Sequence, residues 1–419
     1  MNNQASNSSR LFNDPIYGFI SIPTGIIFDL IEHPYFQRLR RIKQLGLTNL
    51  VYSGANHDRF QHALGAMHLM HQAIKTIRDK GNDISATEEE GALIAILLHD
   101  IGHGPFSHAL EHSIVDGVPH EQISLLFMHR LNEQYSGKLD LAIAIFKNEY
   151  KKKFLHQLVS SQLDMDRLDY IKRDSYFSGV EDGEIGSERI IKTLNIKNDK
   201  LVVEAKGIYS VENYLVARMS MYWQVYLHKT VLSAEFTLMN ILKRAKKLAA
   251  EGLDVSINKN FDRFILHSYS EIDFENIDIL DSFSLLDDID VMSAIKIWRD
   301  CPDPVLSRLC KMMLDRNLLK VDIRNNPFTS AEVAAKKNFL LQNSGLNKEQ
   351  INYFVFTDSI ENSTYNFRQD EINILQKDGS VREISETADL LNSAGLKGPV
   401  EKHYLCYLSK QNTSVNKFE

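Results

Sequence analysis

Long apolar runs are missing from this chain of 419 residues. No stretch approaches the ~20 apolar residues that cross a bilayer, so no membrane partner is expected. The opening segment, Met1 to Arg10, is polar and lacks the apolar core of a signal peptide. Cysteine is scarce: Cys301, Cys310 and Cys406 form no close metal-binding pattern, which excludes a cysteine-built metal site and fits a reducing cytoplasm. Positive charge is not in excess either. A formal net charge of −7 argues against a general nucleic-acid binder, whose partner is a polyanion. It leaves room for a small phosphorylated ligand in a local basic pocket. No internal repeat is visible. What remains is ordinary globular composition, 43% hydrophobic and 25% charged, in a chain longer than one usual core, so two or three substructures are expected.

Residues 1–9 read as a disordered tail. Asn13-Asp14-Pro15 and Ile22-Pro23 bracket a short extended segment with turn residues at Gly18 and Gly25. Phe36, Leu39, Ile42 and Leu45 recur every three residues and predict a helix over 33–45. Its other face carries Arg38, Arg40, Arg41 and Lys43, a solvated face or the wall of a phosphate pocket. A second helix covers 60–80. A third starts at the capping-box spacing of Ser85 and Thr87 with Glu88 and Glu90, and runs buried to Leu98 before Gly102 and Gly104-Pro105 break it. Helical patterns continue at Ser107–His112, Glu121–Leu131, Ala142–Phe146, Leu155–Tyr176 and Ser210–Met239, with strand-like residues at Lys200–Ala205. Residues 258–320 are again helical. Beyond Asn325-Asn326-Pro327 the pattern alternates, with a hairpin at Ile372–Leu375 and Val381–Ile384 and a strand at His403–Leu408. The expected fold is mainly α: a helical core over 10–255, a helical extension over 256–325 and a small α+β lobe over 326–419.

Histidine is concentrated. Ten of the 15 fall between residues 57 and 129. Seven residues without a polar side chain, Ala92 to Leu98, lead straight into His99 and Asp100, with His103 and His108 close behind. Such titratable groups at the end of a buried helix are costly unless they serve a site. Nitrogen and oxygen donors projecting from a dry wall suit a divalent cation that also accepts phosphate oxygens. Further ligands must come from elsewhere. His62 opens the second helix, and Asp164, Asp166 and Asp169 offer carboxylates downstream. On a helix Asp166, Asp169, Tyr170 and Asp174 share a face. Two imidazoles and two carboxylates suit Mn, Fe, Zn, Co or Ni, with Mg less natural beside two imidazoles.

Five motifs stand in order: Asp-Pro-Ile-Tyr-Gly at 14–18, Phe-Gln-Arg-Leu-Arg-Arg-Ile-Lys-Gln-Leu-Gly at 36–46, Arg-Phe-Gln-His-Ala-Leu-Gly at 59–65, His-Asp-Ile-Gly-His-Gly-Pro-Phe-Ser-His at 99–108 and Asp-Arg-Leu-Asp-Tyr at 166–170. Together they resemble the HD-domain phosphohydrolases, in the branch of the SAM-and-HD-domain deoxynucleoside triphosphate triphosphohydrolases and their bacterial relatives. The resemblance runs from Arg10 to about Lys320, and no SAM domain fits before residue 10.

That resemblance implies hydrolysis of a deoxynucleoside triphosphate (dNTP) to the deoxynucleoside and inorganic triphosphate. By motif, His62, His99, Asp100 and Asp166 hold the metal, with Mg accompanying the substrate phosphates. His103, His108 and His120 line the α-phosphate and manage protons. Attack at the α-phosphorus expels a 5′-alkoxide, for which an imidazolium acid is worth ~10²–10⁴ in rate. His108 is the first choice for that acid and His103 the second. Arg59, Arg218 and Arg167 are implied at the triphosphate, Arg167 where the mammalian member has Lys. Lys153, in a run of three lysines, reads as solvated. Gln44 and Asp174 match positions at the 3′-hydroxyl, and Tyr170 and Tyr226 positions that crowd the 2′ carbon. His57, His68, His71, His112 and His129 match no motif role.

The family also carries regulatory nucleotide sites at subunit interfaces, which implies a homo-oligomer, dimer or tetramer, and a nucleotide activator. Arg10, Asn13, Gln37, Arg40, Arg189, Lys206, Arg316 and Lys320 match positions of that kind. Glu32 stands where a shorter Asp reads guanine, and Glu204 replaces a basic residue. Two other readings stay open: an HD phosphohydrolase acting on a cyclic or alarmone phosphate ester, and a catalytically silent nucleotide-sensing oligomer. A DNA-directed role has only the basic face at 38–43 in its favour.

Overall fold

The computed structural model describes residues 10–106, 117–362, 371–387 and 400–409. The expected tail at 1–9, the expected helix at Ser107–His112, and with it His108, lie outside the described residues. The fold is mainly α-helical with small sheets. The chain enters through an antiparallel hairpin, β1 (Arg10–Asp14) and β2 (Gly18–Ile22). Asp14 Oδ1 closes its turn by accepting the backbone N–H groups of Ile16 (2.8 Å) and Tyr17 (3.0 Å).

Two short helices follow, α1 (Ile26–Glu32) and α2 (Pro34–Gln37), the second started by Pro34 behind the His33 cap. The helix expected over 33–45 is shorter than its apolar spacing predicts. After α2 the chain makes a 3-10 turn at Arg38–Arg41 and then extends. It is drawn out by the segment before the next helix: Ile42 O accepts the Arg59 N–H and Gln44 N–H donates to His57 O, both at 3.0 Å.

α3 (Arg59–Asp79) and α4 (Ala86–Leu98) begin with capping boxes, Asp58 with Gln61 and Ser85 with Glu88. α4 is buried from Gly91 to Leu98, as a helix apolar on every side must be. α5 (His120–Gln134) follows the undescribed segment. The pattern over Leu155–Tyr176 resolves into two helices, Lys153–Val159 and α6 (Met165–Ser178). Asp164 makes the break. Its buried carboxylate accepts the N–H of Ser161 and of Arg167, both at 2.7 Å, and so caps α6. The pattern over Ser210–Met239 likewise divides into α7 (Ile208–Met221), a π-helical turn at Tyr222–Tyr226, and α8 (Lys229–Ala250).

α3 packs against both α4 and α6. Two glycines allow the close approaches this requires. A Cβ on Gly65 would stand 2.0 Å from Asp169 Oδ1, and one on Gly102 would stand 2.3 Å from both His120 O and Ser124 N. The remaining strands are β3 (Leu194–Lys197), β4 (Lys200–Glu204), β5 (Lys320–Arg324), β6 (Phe356–Asn362), β7 (Asn373–Leu375), β8 (Val381–Glu383) and β9 (Val400–Tyr407). They form sheets of order β3-β4-β7-β8 and β5-β9-β6. The hairpin β7–β8 thus joins β4 in parallel, at Val203↔Ile374, and one continuous apolar core runs beneath both sheets and the helices. No described helix is long and apolar enough to cross a membrane.

Candidate functional site

Three helix ends meet at one point. The start of α3 brings His62, the residues just past α4 bring His99 and Asp100, and the first turn of α6 brings Asp166. His62 Nε2 lies 3.1 Å from Asp166 Oδ1 and 3.8 Å from Asp100 Oδ2. His99 Nε2 lies 3.3 Å from Asp100 Oδ1 and 3.4 Å from Asp166 Oδ1. The four side chains expected from the motifs therefore converge.

Each imidazole is fixed from behind. His62 Nδ1 donates to Asp169 Oδ2 at 2.8 Å, and His99 Nδ1 donates to Ile96 O at 2.6 Å. Both Nε2 atoms are thereby turned inward as lone pairs. Both are buried and neither has a hydrogen-bond partner among the described residues. Buried imidazole nitrogens are not left unpaired without cause. A divalent cation fits this donor set: His62, His99 and Asp166 lie close enough to share one ion, and Asp100, 3.3 Å from His99 and 3.8 Å from His62, would complete the ligands. Burial pulls His62 toward the neutral form, but the facing carboxylates of Asp166 and Asp169 outweigh it and raise the imidazole to about 10. Burial pushes Asp166 up, and the facing imidazoles of His62 and His99 reverse that and hold it well below the carboxylate range.

Asp100, His103 and His120 also lie close enough to share an ion. The Arg59 guanidinium, however, bonds Asp100 Oδ2, and its charge opposes a second cation there. The His103 and His120 rings stack at 3.7 Å. Burial, then the charge of Arg59, pushes His103 well below the usual imidazole range, so it rests neutral.

The cluster opens on a cleft of about 390 Å3, lined among others by Gln44, Arg59, His103, His120, Tyr170, Asp174 and Tyr226. Gln44 Oε1 is buried without a partner. Asp174 is gripped on both oxygens, by His57 Nε2 at 2.8 Å and by Tyr226 Oη at 2.7 Å. The Tyr170 and Tyr226 rings stand 6.3 Å apart. Arg167 and Arg218 do not line this cleft. Arg167 pairs with Asp164, and Arg218 Nη1 donates to Gln162 Oε1 at 2.9 Å, while the Nε of each is buried and unpartnered. Lys153 is elsewhere, its ammonium on Asn148 O.

Sequence reasoning missed the supports. His57, given no role, is buried, stacks on Phe177 and holds Asp174. Asp169 is itself locked by Arg173, which also reaches Asp14 at 2.8 Å. Arg38, read as part of a charged face, is fully buried and donates to the carbonyls of Ile101, His103 and Leu286. It clamps the loop that follows His99-Asp100. Asp169, one turn from Asp166, is legible in the sequence as a carboxylate of the site, though not as the hold on His62; nothing local could have flagged Arg38.

The residues matched to regulatory positions are exposed, apart from half-buried Gln37. Arg189 and Lys206 line a second cavity of about 460 Å3, with Lys172 and Lys192. Arg10 covers Phe28, and Arg40 covers Phe60 and bonds Gln37. Arg316 bonds Leu50 O at 2.6 Å. Asn13 lies on β1, Glu32 ends α1 and Lys320 begins β5. None of these six lines the Arg189–Lys206 cavity, nor does Gln37. Glu204 pairs with both Lys80 and Lys206.

Known proteins bear on this arrangement. Residues 59–173 match the HD domain and residues 185–259 the HD associated region. The Bacillus subtilis (strain 168) protein YwfO is 33% identical over 416 residues, 96% of this chain and 92% of its own length. The deoxynucleoside triphosphate triphosphohydrolase SAMHD1 homolog of Dictyostelium discoideum is 32% identical over 258 residues, 57% of this chain and 50% of that protein. A crystal structure of a phosphohydrolase from Bacteroides thetaiotaomicron superposes with a TM-score of 0.93 at 49% identity, covering 96% of this chain and 100% of that one.

Proposed function

Since the chain belongs to the HD-domain phosphohydrolases, with dNTP triphosphohydrolases among its relatives, we propose that it hydrolyses dNTPs to deoxynucleoside and inorganic triphosphate. The observation that carries this reading is the opening of the His–Asp cluster directly onto a cleft bearing Gln44, Asp174 and two tyrosines. Its volume falls in the ~300–1,000 Å3 range of small-molecule sites.

His62, His99, Asp100 and Asp166 would hold a divalent cation from the series Mn, Fe, Zn, Co and Ni, which would supply an activated water and neutralise phosphoryl charge. Mg would accompany the substrate phosphates. The protein groups do the rest. Arg59, already on Asp100, reaches the triphosphate, and Arg167 and Arg218, whose charges act on Tyr170 of the cleft wall, add positive potential. Water adds to the α-phosphorus and the bond to the 5′-oxygen breaks. That oxygen takes a proton from an imidazole. His103 rests neutral, so the donor is His120, stacked on it, or His108. The 3′-hydroxyl donates its one proton to Asp174, whose oxygens each keep a second lone pair, and accepts from the Gln44 side-chain amide. Tyr170 and Tyr226 fill the space a 2′-hydroxyl would need.

The cavity at Arg189 and Lys206 suits the phosphates of a nucleotide activator, completed by a second subunit of a cytoplasmic dimer or tetramer that supplies the other matched positions. The test is incubation of metal-loaded protein with the four dNTPs, alone and mixed, with chromatography of the products. Inorganic triphosphate is the expected product. Monophosphate and pyrophosphate would overturn the reading, and a cyclic or alarmone ester as the better substrate would favour the other hydrolase.

A further inference from the structure

Three carboxylates of the cleft wall are already engaged: Asp100 by Arg59, Asp166 by His62 and His99, and Asp174 by His57 and Tyr226. A fourth, Glu235, also lines the cleft, and it has no hydrogen-bond or ion-pair partner among the described residues. It sits on α8, three residues after Leu232, so the two share a helix face, and both line the cleft. α8 packs on the turn at Thr48–Leu50 and on the π-helical turn at Tyr222–Tyr226. Leu45, Thr48, Tyr222, Leu227 and Leu232 line the same cleft, a largely apolar set suited to a flat ring. Burial, with no cation to offset it, pushes the Glu235 carboxyl up to about 7. A carboxylate left in such a place is costly unless a ligand pairs with it.

We propose that Glu235 reads the nucleobase, its two carboxylate oxygens accepting the N1–H and N2–H of guanine. This rests on the nucleotide reading of the same cleft and assigns its base preference to deoxyguanosine triphosphate. The chemistry discriminates. Guanine alone presents two adjacent donors on its Watson–Crick edge. Adenine and cytosine each set an amino donor beside a ring-nitrogen acceptor, which repels an ionised carboxylate, and thymine flanks one N–H with two carbonyls. No hydrolysis step depends on the pairing. Glu235 fixes which base is held, while the His–Asp cluster is untouched.

The test uses the full-length protein and its E235Q variant, which keeps the side-chain volume but replaces one acceptor by a donor. Two readouts are taken for dGTP, deoxyinosine triphosphate, dATP, dCTP and dTTP: calorimetric binding with Ca2+, and kcat/KM with Mn2+. The expected wild-type preference for dGTP is roughly 10–100-fold, falling for deoxyinosine triphosphate, which lacks the N2 amino group. E235Q should abolish that preference and leave the other nucleotides nearly unchanged. Equal losses for all five nucleotides, or a wild type that does not distinguish deoxyinosine from deoxyguanosine triphosphate, would overturn the proposal. The deoxyinosine comparison needs no variant, so it holds even if E235Q folds poorly. Selective binding without turnover of any dNTP would support Glu235 as the base reader and remove the hydrolase reading. Turnover with an unchanged base profile in E235Q would do the reverse.

Discussion

The polar atoms around Asp166 and those around Gln44 and Glu235 are treated in opposite ways. In the first region every group has a second hold: His62 on Asp169, His99 on Ile96 O, Asp169 on Arg173, and Arg173 on Asp14. The inward-facing Nε2 atoms of His62 and His99 are left unpaired. In the second, Gln44 Oε1 and the Glu235 carboxylate wait without partners in a more apolar wall. The difference separates chemistry from recognition. A cation site gains from rigid, pre-aimed donors, whereas groups that must read a ligand keep their hydrogen-bonding capacity for it.

That contrast can be broken from either side. The largest effect should come from His99→Ala, which removes an inward-facing nitrogen: turnover should fall to background with the helical signal intact. Next is Asp169→Asn, which weakens the grip on His62 without touching a ligand; metal affinity measured by competition with a chelator should drop ~10–100-fold. Gly65→Ala should mimic it, because its Cβ would collide with Asp169. On the recognition side, Gln44→Ala should lower kcat/KM by roughly tenfold while metal content stays unchanged. A 2′,3′-dideoxynucleotide should show the same loss on the wild type and no further loss on the variant, as expected for two ends of one hydrogen bond. The smallest basal effect belongs to Lys206→Ala, which should leave metal binding alone and alter only the response of the rate to a second nucleotide.

The sequence is readable where a local rule operates. Asp58-to-Gln61 and Ser85-to-Glu88 spacing marks where α3 and α4 begin, and the apolar run before His99 marks a buried helix with chemistry at its end. It misleads where a distant contact overrides spacing. The three-residue apolar period over 33–45 is real, but backbone pairing with His57 and Arg59 pulls the chain straight after Arg41. Asp164 looks like one more carboxylate in a helix, yet its oxygens fit the N–H groups of Ser161 and Arg167 better, and the helix breaks there. Arg38 and His57 are opaque for a related reason. Their partners lie 63 to 248 and 117 residues away, so no window of sequence contains both ends of the interaction.

The most direct test is titration of metal-stripped protein with Co2+, read by visible absorption, for the wild type and Asp166→Ala. The wild type should bind one ion with a mixed nitrogen–oxygen spectrum, and the variant should lose that band. A band of equal strength in both proteins, or none in either, would contradict convergence of His62, His99, Asp100 and Asp166 on a single cation.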